Sequence, residues 1–296
     1  MNERPSLRST VQALLYLLPA LAVIGVFTLY PILSSLDISF YTRYNFYKNI
    51  VYERGLDNYT TMLSDPEFWL AMKNTLIFVL GTVPLTMAIS LMIALLLTAN
   101  IKGRAFFRSV YFLPVVTSVV AISMVWRWMY HSEYGLLNSL LGWFGLSPVG
   151  WLTKPEWAMP ALIILSVWKG LGYNIIIFLA GLQSIDQRMY LAARVDGARS
   201  WHRFWRITLP MLSPTTMYIS IVSVIASFKV FDEIFALFGG RPGPGNSAMT
   251  VVYYIFQKFY VESKFGLAAA ASYALFAVTL LFTLIQLYIS RKRVHY

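Results

Sequence analysis

Four charged residues that could take part in chemistry lie in otherwise apolar stretches of the sequence. They are Lys169, Lys229, Asp232 and Glu233. A charged side chain is costly in an apolar segment, so such residues are candidates for a binding site, a proton relay or a neutralised ion pair. Lys229 and Glu233 are four residues apart, a spacing that permits a pair on one helix face.

A second concentration of charge is the stretch Tyr190–Pro210, which lies between two strongly apolar segments. Gly197 interrupts it and permits a sharp bend between two short helices. Leu209 and Pro210 would then begin the next apolar helix, because proline suits a first helical turn. This pattern is typical of a surface that contacts a partner. A basic, aromatic helix that only lies at a membrane surface would look similar.

Motifs for catalysis, metal binding and nucleotide binding are absent from the sequence. There are no cysteines, and the three histidines, His131, His202 and His295, are far apart. Neither H-E-x-x-H nor G-x-S-x-G occurs, which disfavours a membrane-embedded enzyme. No G-x-x-x-x-G-K-[ST] occurs either, so ATP would have to be bound by a partner.

The apolar stretches predict a polytopic membrane protein. The chain is 58% hydrophobic and 12% charged, and it contains charge-free runs of 28, 28 and 26 residues, whereas a spanning helix needs about 20. The first run lacks a small-residue cleavage pattern, so we interpret it as a retained span. The predicted spans are 11–36, 72–100, 107–129, 157–183, 211–237 and 265–290.

The distribution of basic residues predicts the orientation of these spans. With six spans both termini lie on one side, and that side has thirteen basic residues against three acidic ones. The opposite loops have nine basic against eight acidic residues. By the positive-inside rule the termini (1–10 and 291–296) and the loop 184–210 are cytoplasmic. The net charge of +11 therefore reflects topology, which excludes nucleic acid as a partner.

The small residues of the charged stretch carry a family resemblance. Ala192-Ala193, Gly197 and Ile207-x-Leu209-Pro210 resemble the EAA loop of ABC importer permeases, E-A-A-x3-G-x9-I-x-L-P, with matching spacing throughout. Leu191 stands where that pattern has glutamate. Together with the stretches 103–114, 167–185, 228–240 and 265–276, the motif makes most of the chain similar to the carbohydrate (maltose-permease-like) branch of this family.

The resemblance implies an all-α membrane protein, a type I permease bundle of six transmembrane helices with a cytoplasmic coupling helix. The coupling residues are then Tyr190, Leu191, Ala192, Ala193, Asp196, Gly197 and Ala198. The implied partners are a second permease subunit, two ATP-binding cassette subunits that bind ATP and Mg, an extracytoplasmic solute-binding protein and the lipid of a bacterial or archaeal inner membrane. The chain itself would bind no cofactor. Leu191 implies a weaker contact with the ATPase, or a second permease that carries the intact motif.

The same resemblance supports a substrate-contacting segment in the fourth span, and the polar residues of the fifth span are further candidates for the pathway. We expect glycines to interrupt the fourth span at Lys169–Gly172, beside aromatic rings on which a sugar could lie. The pathway residues are Ser166, Trp168, Lys169, Gly170, Tyr173, Ser223 and Ser227. Alternatively, Trp168 and Tyr173 belong to an interfacial belt and Lys169 extends to the interface.

The solute and the energy source stay open at this point. A sugar or oligosaccharide suits the pathway residues, whereas Lys169 would favour an anion such as a glycerol phosphate. An ion- or proton-coupled secondary transporter would use Lys229, Asp232 and Glu233 as a relay. The loops 37–70 and 238–262 are candidate docking surfaces for the solute-binding protein.

Overall fold

The protein, seen in a computed structural model, folds almost entirely into helices. The structure describes residues 7–45, 48, 50–98 and 104–293, and only the backbone of 7–10, 104, 105, 107, 108 and 291–293. The predicted cytoplasmic termini, 1–10 and 291–296, lie partly outside these ranges. The chain divides into two compact units. The first comprises the described residues up to Asp65 with Ile255–Ala274, and the second Pro66–Tyr254 with the described residues from Leu275 onward.

The N-terminal part of the first unit combines helices with a small antiparallel hairpin. Its elements are α1 (Leu7–Ile24), a π-helical turn (Gly25–Leu29), α2 (Tyr30–Ser39), β1 (Tyr41–Asn45), β2 (Ile50–Arg54) and α3 (Asp57–Ser64). Asn58 fixes the hairpin to the end of α2, because its Nδ2 donates to the carbonyls of Ser39 and Tyr41, at 3.0 Å each. The sequence predicted only an aromatic loop over 37–70.

A cluster of charges around Lys258 stabilises the same unit. The buried Lys258 Nζ lies 2.8 Å from Glu262 Oε1 and 3.8 Å from Asp65 Oδ2. Lys264 Nζ lies 2.7 Å from the other oxygen of Glu262. Partial burial raises the pKa of Glu262, but the hydrogen bonds from the two lysines outweigh it and hold that pKa below its usual range.

The elements from Pro66 onward are helices of very different lengths. They are α4 (Pro66–Thr98), α5 (Arg104–Val116), α6 (Val119–Met129), α7 (Leu136–Trp143), α8 (Pro155–Ser184), α9 (Gln187–Val195), α10 (Ser200–Arg203), a π-helical turn (Phe204–Thr208), α11 (Leu209–Met211), α12 (Ser213–Phe228), α13 (Asp232–Leu237), a 3₁₀ turn (Pro244–Asn246), α14 (Val251–Phe256), a π-helical turn (Gln257–Val261) and α15 (Phe265–Arg293). The stretch 248–262, predicted as one amphipathic segment, is thus α14 followed by a π-helical turn.

The core of the second unit lies where α4 packs along α8 and α12. Buried apolar side chains from these three helices interdigitate there and exclude water, which is the main stabilising contribution. They are Ala94, Leu97, Ile175, Phe178, Leu179, Leu182, Ile185, Leu212 and Ile219.

Four helical segments are long and apolar enough to cross a membrane: Val11–Ser39, Pro66–Thr98, Pro155–Ser184 and Phe265–Ser290. The other two predicted spans are helix pairs, Ser109–Val116 with Val119–Met129, bent by 111°, and Ser200–Met211 with Ser213–Phe228, bent by 61°. Counting each pair as one span makes six. The structure thus contains between four and six candidate spans by length and composition.

The bend before α12 has a cause in the sequence. Pro214 has no N–H, so it cannot donate to the carbonyl of Pro210 and the helix cannot continue unchanged. Leu209 and Pro210 therefore lie at the end of the preceding helix. Where the fifth span begins stays a prediction.

Candidate functional site

A cavity of about 460 Å³ lies in the second unit between α4, α8, α12 and α13. This volume falls in the range of about 300–1,000 Å³ that is typical of small-molecule sites. The cavity is lined by six of the seven residues that the sequence predicted for a substrate pathway: Ser166, Lys169, Gly170, Tyr173, Ser223 and Ser227. The fold brings these residues together, and their contact with a solute stays a prediction.

One face of α8 supplies four of these residues. Ser166, Lys169, Gly170 and Tyr173 have the i, i+3, i+4, i+7 spacing that places side chains on a single helix face. Trp168, the seventh predicted residue, lies about 100° around the helix from Lys169 and does not line the cavity.

Trp168 contributes instead to an apolar surface on the other side of α8. Its ring meets the ring of Trp126 edge to face, with the centroids 5.6 Å apart. Both rings border a separate, almost wholly apolar cavity of about 430 Å³ beside the α5–α6 bend. The geometry therefore does not bring Trp168 to the polar groups of the first cavity.

The helix α8 is continuous from Pro155 to Ser184, so the predicted interruption at Lys169–Gly172 is wrong. Gly172 has a packing role. A Cβ at this position would lie 2.1 Å from the carbonyl oxygen of Tyr111. Glycine therefore allows α5 to approach the backbone of α8 closely, and the helix needs no break to accommodate it.

The charged residues of the cavity pair differently from the sequence prediction. Lys169 Nζ lies 2.7 Å from Glu233 Oε1, and the two side chains are 25% and 15% exposed. The expected pair of Lys229 with Glu233 does not form. The helix α12 ends before Lys229, and Asp232 begins a new helix, so the i, i+4 geometry does not apply.

The break between α12 and α13 is stabilised by a side chain from elsewhere in the second unit. The carbonyl of Val230 has no helical partner, and the hydroxyl of Thr250 donates to it at 3.1 Å. A freed backbone group inside an apolar region needs such a partner. The break turns α13 so that Glu233 reaches α8.

Two hydroxyl groups at the cavity have no hydrogen-bond partner in the protein. They are Ser166 Oγ on α8 and Thr82 Oγ1 on α4. Both oxygens have almost no solvent-accessible surface, and a buried hydroxyl without a partner is unfavourable. Thr82 and Thr86 were missed by the sequence analysis. Their signal was a pair of threonines four residues apart in an apolar run.

The predicted coupling residues form a capped helix with an ordered turn. Asp186 Oδ1 accepts from the N–H of Arg188 at 2.9 Å and caps the start of α9. At the other end the N–H of Gly197 donates to Arg194 and that of Ala198 to Ala193, at 3.0 and 2.8 Å. This pair of bonds is a Schellman motif.

Gly197 occupies the left-handed position of this motif. Its φ is +72°, a conformation that glycine adopts without the steric cost met by other residues. The chain then turns into α10 at Ser200. The sequence prediction of two short helices joined at this glycine is therefore confirmed, while a coupling role stays a prediction.

The helix α9 has no buried residue. Leu191 is 56% exposed and Val195 is 89% exposed, so apolar side chains on its surface are left uncovered. The helix is tied to the rest of the loop by Tyr190, whose hydroxyl lies 2.9 Å from that of Thr208. A helix this short is marginal in water without tertiary support, which is consistent with a surface that packs against another protein.

A cavity of about 510 Å³ separates α9 from the following helix. Asp196, Gly197 and Ala198 form one side, together with Ala193 on α9. The other side is basic and consists of Arg199, His202, Arg203 and Arg206, with Ile207. In the described part of the chain, no group of three or more His, Asp or Glu side chains is placed to hold a metal ion.

Comparison with known proteins identifies the family of the chain. The family model described as "Binding-protein-dependent transport system inner membrane component" matches residues 13–295. The lactose transport system permease protein LacF of Rhizobium radiobacter is 38% identical over 287 residues, covering 96% of this chain and 95% of that protein. The trehalose/maltose transport system permease protein MalF of Thermococcus litoralis is 35% identical over 279 residues, covering 94% and 93%.

A solved structure has the same fold. It is a bacterial alginate ABC transporter in complex with an alginate pentasaccharide-bound periplasmic protein. One of its chains superimposes with a TM-score of 0.80 at 27% identity, and the match covers 98% of each chain.

Proposed function

The chain belongs to the family of binding-protein-dependent transport system inner membrane components, and on this premise we propose that it forms half of the translocation pathway of an ATP-driven importer for a sugar or oligosaccharide. The observation that carries the proposal is the cavity between α4, α8, α12 and α13, whose largely apolar wall contains hydroxyl and charged side chains. The similarity to permeases named for lactose and for trehalose and maltose supports the solute class.

The cavity offers what a saccharide requires. Ser166 and Thr82 contribute hydroxyls without a partner among the described residues, which could donate and accept once a side-chain rotation exposes them to the cavity. Tyr173 adds a phenol hydroxyl to the lining, and this hydroxyl lies 3.2 Å from that of Tyr218 on α12. Ser223 and Ser227 lie on α12 across the cavity from α8. A sugar presents hydroxyls in several directions and can engage such a lining from more than one side.

The helix α9 is proposed as the coupling helix that docks on the ATPase. Its exposed apolar residues, Leu191 and Val195, are available for burial in a partner's cleft. The Schellman motif at Gly197 holds the helix in one orientation before docking, which lowers the entropy cost of binding. Since Leu191 replaces the family's glutamate, apolar packing would carry the contact that a charge and its hydrogen bonds make in relatives.

ATP and Mg are assigned to two ATP-binding cassette subunits, and the other half of the pathway to a second permease subunit. The first span, Val11–Ser39, supports such an assembly, because none of its apolar window is buried within the chain. It must therefore face lipid or another subunit. The assignment of ATP hydrolysis to partners makes this chain a non-enzymatic component.

The proposed topology has six spans with both termini and the loop 184–210 in the cytoplasm. The surplus of basic residues on that side supports it. The hairpin of β1 and β2 then lies on the outer face, where a solute-binding protein would dock. The related alginate transporter forms a complex with its periplasmic protein.

In the proposed coupling, movement of the ATPase subunits would be transmitted through the loop 184–210 by rigid-body displacement of its helices. Closure of the ATPase subunits moves α9, and the Tyr190–Thr208 contact transmits the movement to the helix that ends at Met211. The bend before Pro214 then passes it to α12, which lines the cavity with Ser223 and Ser227. Two discrete arrangements of packed helices, biased by the ATPase, suffice for alternating access.

The test is reconstitution of the complete complex in proteoliposomes with its binding protein loaded with one solute at a time. Lactose, maltose, trehalose and glycerol 3-phosphate are compared by the ATP hydrolysis and uptake that each stimulates. We expect a neutral sugar to stimulate both. Uptake driven by an ion gradient without ATP, or stimulation by glycerol 3-phosphate alone, would overturn the proposal.

A further inference from the structure

The charged side chains that line the cavity neutralise one another, and we infer that this balance restricts the pathway to uncharged saccharides, a rule that presupposes the saccharide solute proposed above. Glu233 is then the specificity-determining residue, because it occupies the lysine that would otherwise attract an acidic sugar.

The charge balance follows from the lining. Among the residues that the structure describes, Lys169 and Lys229 are the cations of the cavity and Asp232 and Glu233 are its anions. Their formal charges cancel at neutral pH. Lys169 is the cation on the cavity face of α8, between the polar residues Ser166 and Tyr173, and its ammonium group already pairs with Glu233 at 2.7 Å.

An acidic saccharide that binds Lys169 would have to break this pair. Its carboxylate would displace Glu233 from Lys169 and leave a carboxylate that is only 15% exposed without its partner. Leaving one charge of a partly buried pair unsatisfied is strongly unfavourable. Asp232 and Lys229, which also line the cavity, carry opposite charges, so their effects on an anion offset each other. Discrimination of this kind acts by penalising the wrong ligand.

A neutral saccharide meets no such penalty. It can bind hydroxyl side chains of the lining such as Tyr173 and Ser223 while the Lys169–Glu233 pair stays closed. The remaining lone pairs of Glu233 can accept hydrogen bonds from sugar hydroxyls, which ionised carboxylates do well. The same lining therefore favours hydroxyl-rich solutes and disfavours anionic ones.

The test measures direct binding to the whole complex in lipid nanodiscs without the solute-binding protein, since that protein applies its own selection. Isothermal titration calorimetry compares the neutral disaccharides maltose and lactose with the acidic disaccharides cellobiouronate and digalacturonate. In the wild type we expect the preferred neutral probe to bind at least about tenfold more tightly than either acidic probe, and Glu233→Gln to shift that ratio by at least about tenfold toward the acidic probes.

Matched variants test whether the shift toward acidic probes comes from the release of Lys169 or from any loss of negative charge in the cavity. Asp232→Asn makes the same change of charge next to Glu233 but leaves the pair intact, so we expect a smaller shift. Glu233→Asp retains the carboxylate and should retain the neutral preference. The double variant Lys169→Gln/Glu233→Gln removes both charges and should not show the relative increase in acidic-probe binding that we expect for Glu233→Gln. Co-purification with the partner subunits reports folding of each variant.

The outcomes show whether the charge rule fails alone or the saccharide assignment fails with it. If neutral probes bind but their ratio to acidic probes is the same in Glu233→Gln and the wild type, the charge rule is wrong and the saccharide assignment stands. An equal shift in Asp232→Asn would also overturn the role of Glu233. If only acidic probes bind, the charge rule fails and the saccharide assignment stands, whereas if none of the four binds, both fail together.

Discussion

Substitution of Gly197 tests whether the ordered turn after α9 is what couples this chain to an ATPase. The residue has φ +72°, and a Cβ built there meets no heavy atom within 4 Å. A Cβ therefore causes no clash, and its cost is the cost of the left-handed backbone. At this position the cost of the backbone conformation can therefore be measured separately from the effect of packing on the Cβ.

The magnitude follows from that backbone conformation. An L-residue with a Cβ pays about 1–2 kcal/mol in the left-handed region, which corresponds to a roughly 5- to 30-fold lower population of the Schellman turn. Asparagine enters this region readily, whereas a β-branched residue is a genuine outlier there. The expected order of coupling is therefore Gly197, then Gly197→Asn, then Gly197→Ala, with Gly197→Val lowest.

The assay is solute-stimulated ATP hydrolysis of the reconstituted complex, measured with the ATPase subunit below saturation so that docking limits the rate. Since α9 has no buried residue, the melting temperature of the permease should change little across the series. Gly142→Val is the matched control. Gly142 lies in α7 with equally open space around it but not in the left-handed region, so coupling should be unaffected.

A result in which Gly197→Val couples like the wild type would refute the reasoning, because the turn would then not need to be formed. A loss that is equal for asparagine and valine would also contradict it. In that case the side chain itself, and not the backbone, would disturb the interface with the partner.

Three further predictions concern other parts of the chain. Leu191→Glu restores the family's residue at a 56% exposed position, so we expect tighter ATPase binding with unchanged permease stability, measured by titration of the ATPase subunit. Gly172→Ala would place a methyl group 2.1 Å from the carbonyl oxygen of Tyr111; we expect a loss of about 1–3 kcal/mol from overpacking, visible as a lower melting temperature. The pKa of Glu262 is lowered in the folded protein, so this carboxylate stabilises the folded state at pH values above the pKa of an unfolded glutamate, about 4.3. This stability should be lost as the pH falls through the lower pKa of the folded state. Glu262→Gln should flatten that dependence in thermal unfolding scans from pH 6 to pH 3, and an unchanged slope would exclude this carboxylate as its source.

Local patterns in the sequence predicted the features that depend on one helix at a time. The spacing of Ser166, Lys169, Gly170 and Tyr173 places them on one face in any α-helix, so their convergence follows from the 3.6-residue period. The turn at Gly197 was predictable for the same reason, since its hydrogen bonds involve only residues from 193 to 198. The membrane class and the charge asymmetry depend on composition alone.

The features that depend on two helices were decided by the tertiary structure. Lys169 and Glu233 are 64 residues apart, and nothing local indicates that they pair. The sequence favoured Lys229 as the partner of Glu233 because it assumed an unbroken helix. The break after Phe228 is possible only because Thr250 supplies the hydrogen bond that the carbonyl of Val230 lost.

The glycines of α8 show the same division. Their positions were visible in the sequence, and a local rule interpreted them as a break in the helix. Only the packing of α5 against Gly172 shows that the missing side chain makes room for a neighbour. Periodicity determines which residues share a face, whereas the choice of partner, and with it the neutral charge of the cavity, depends on where distant helices meet.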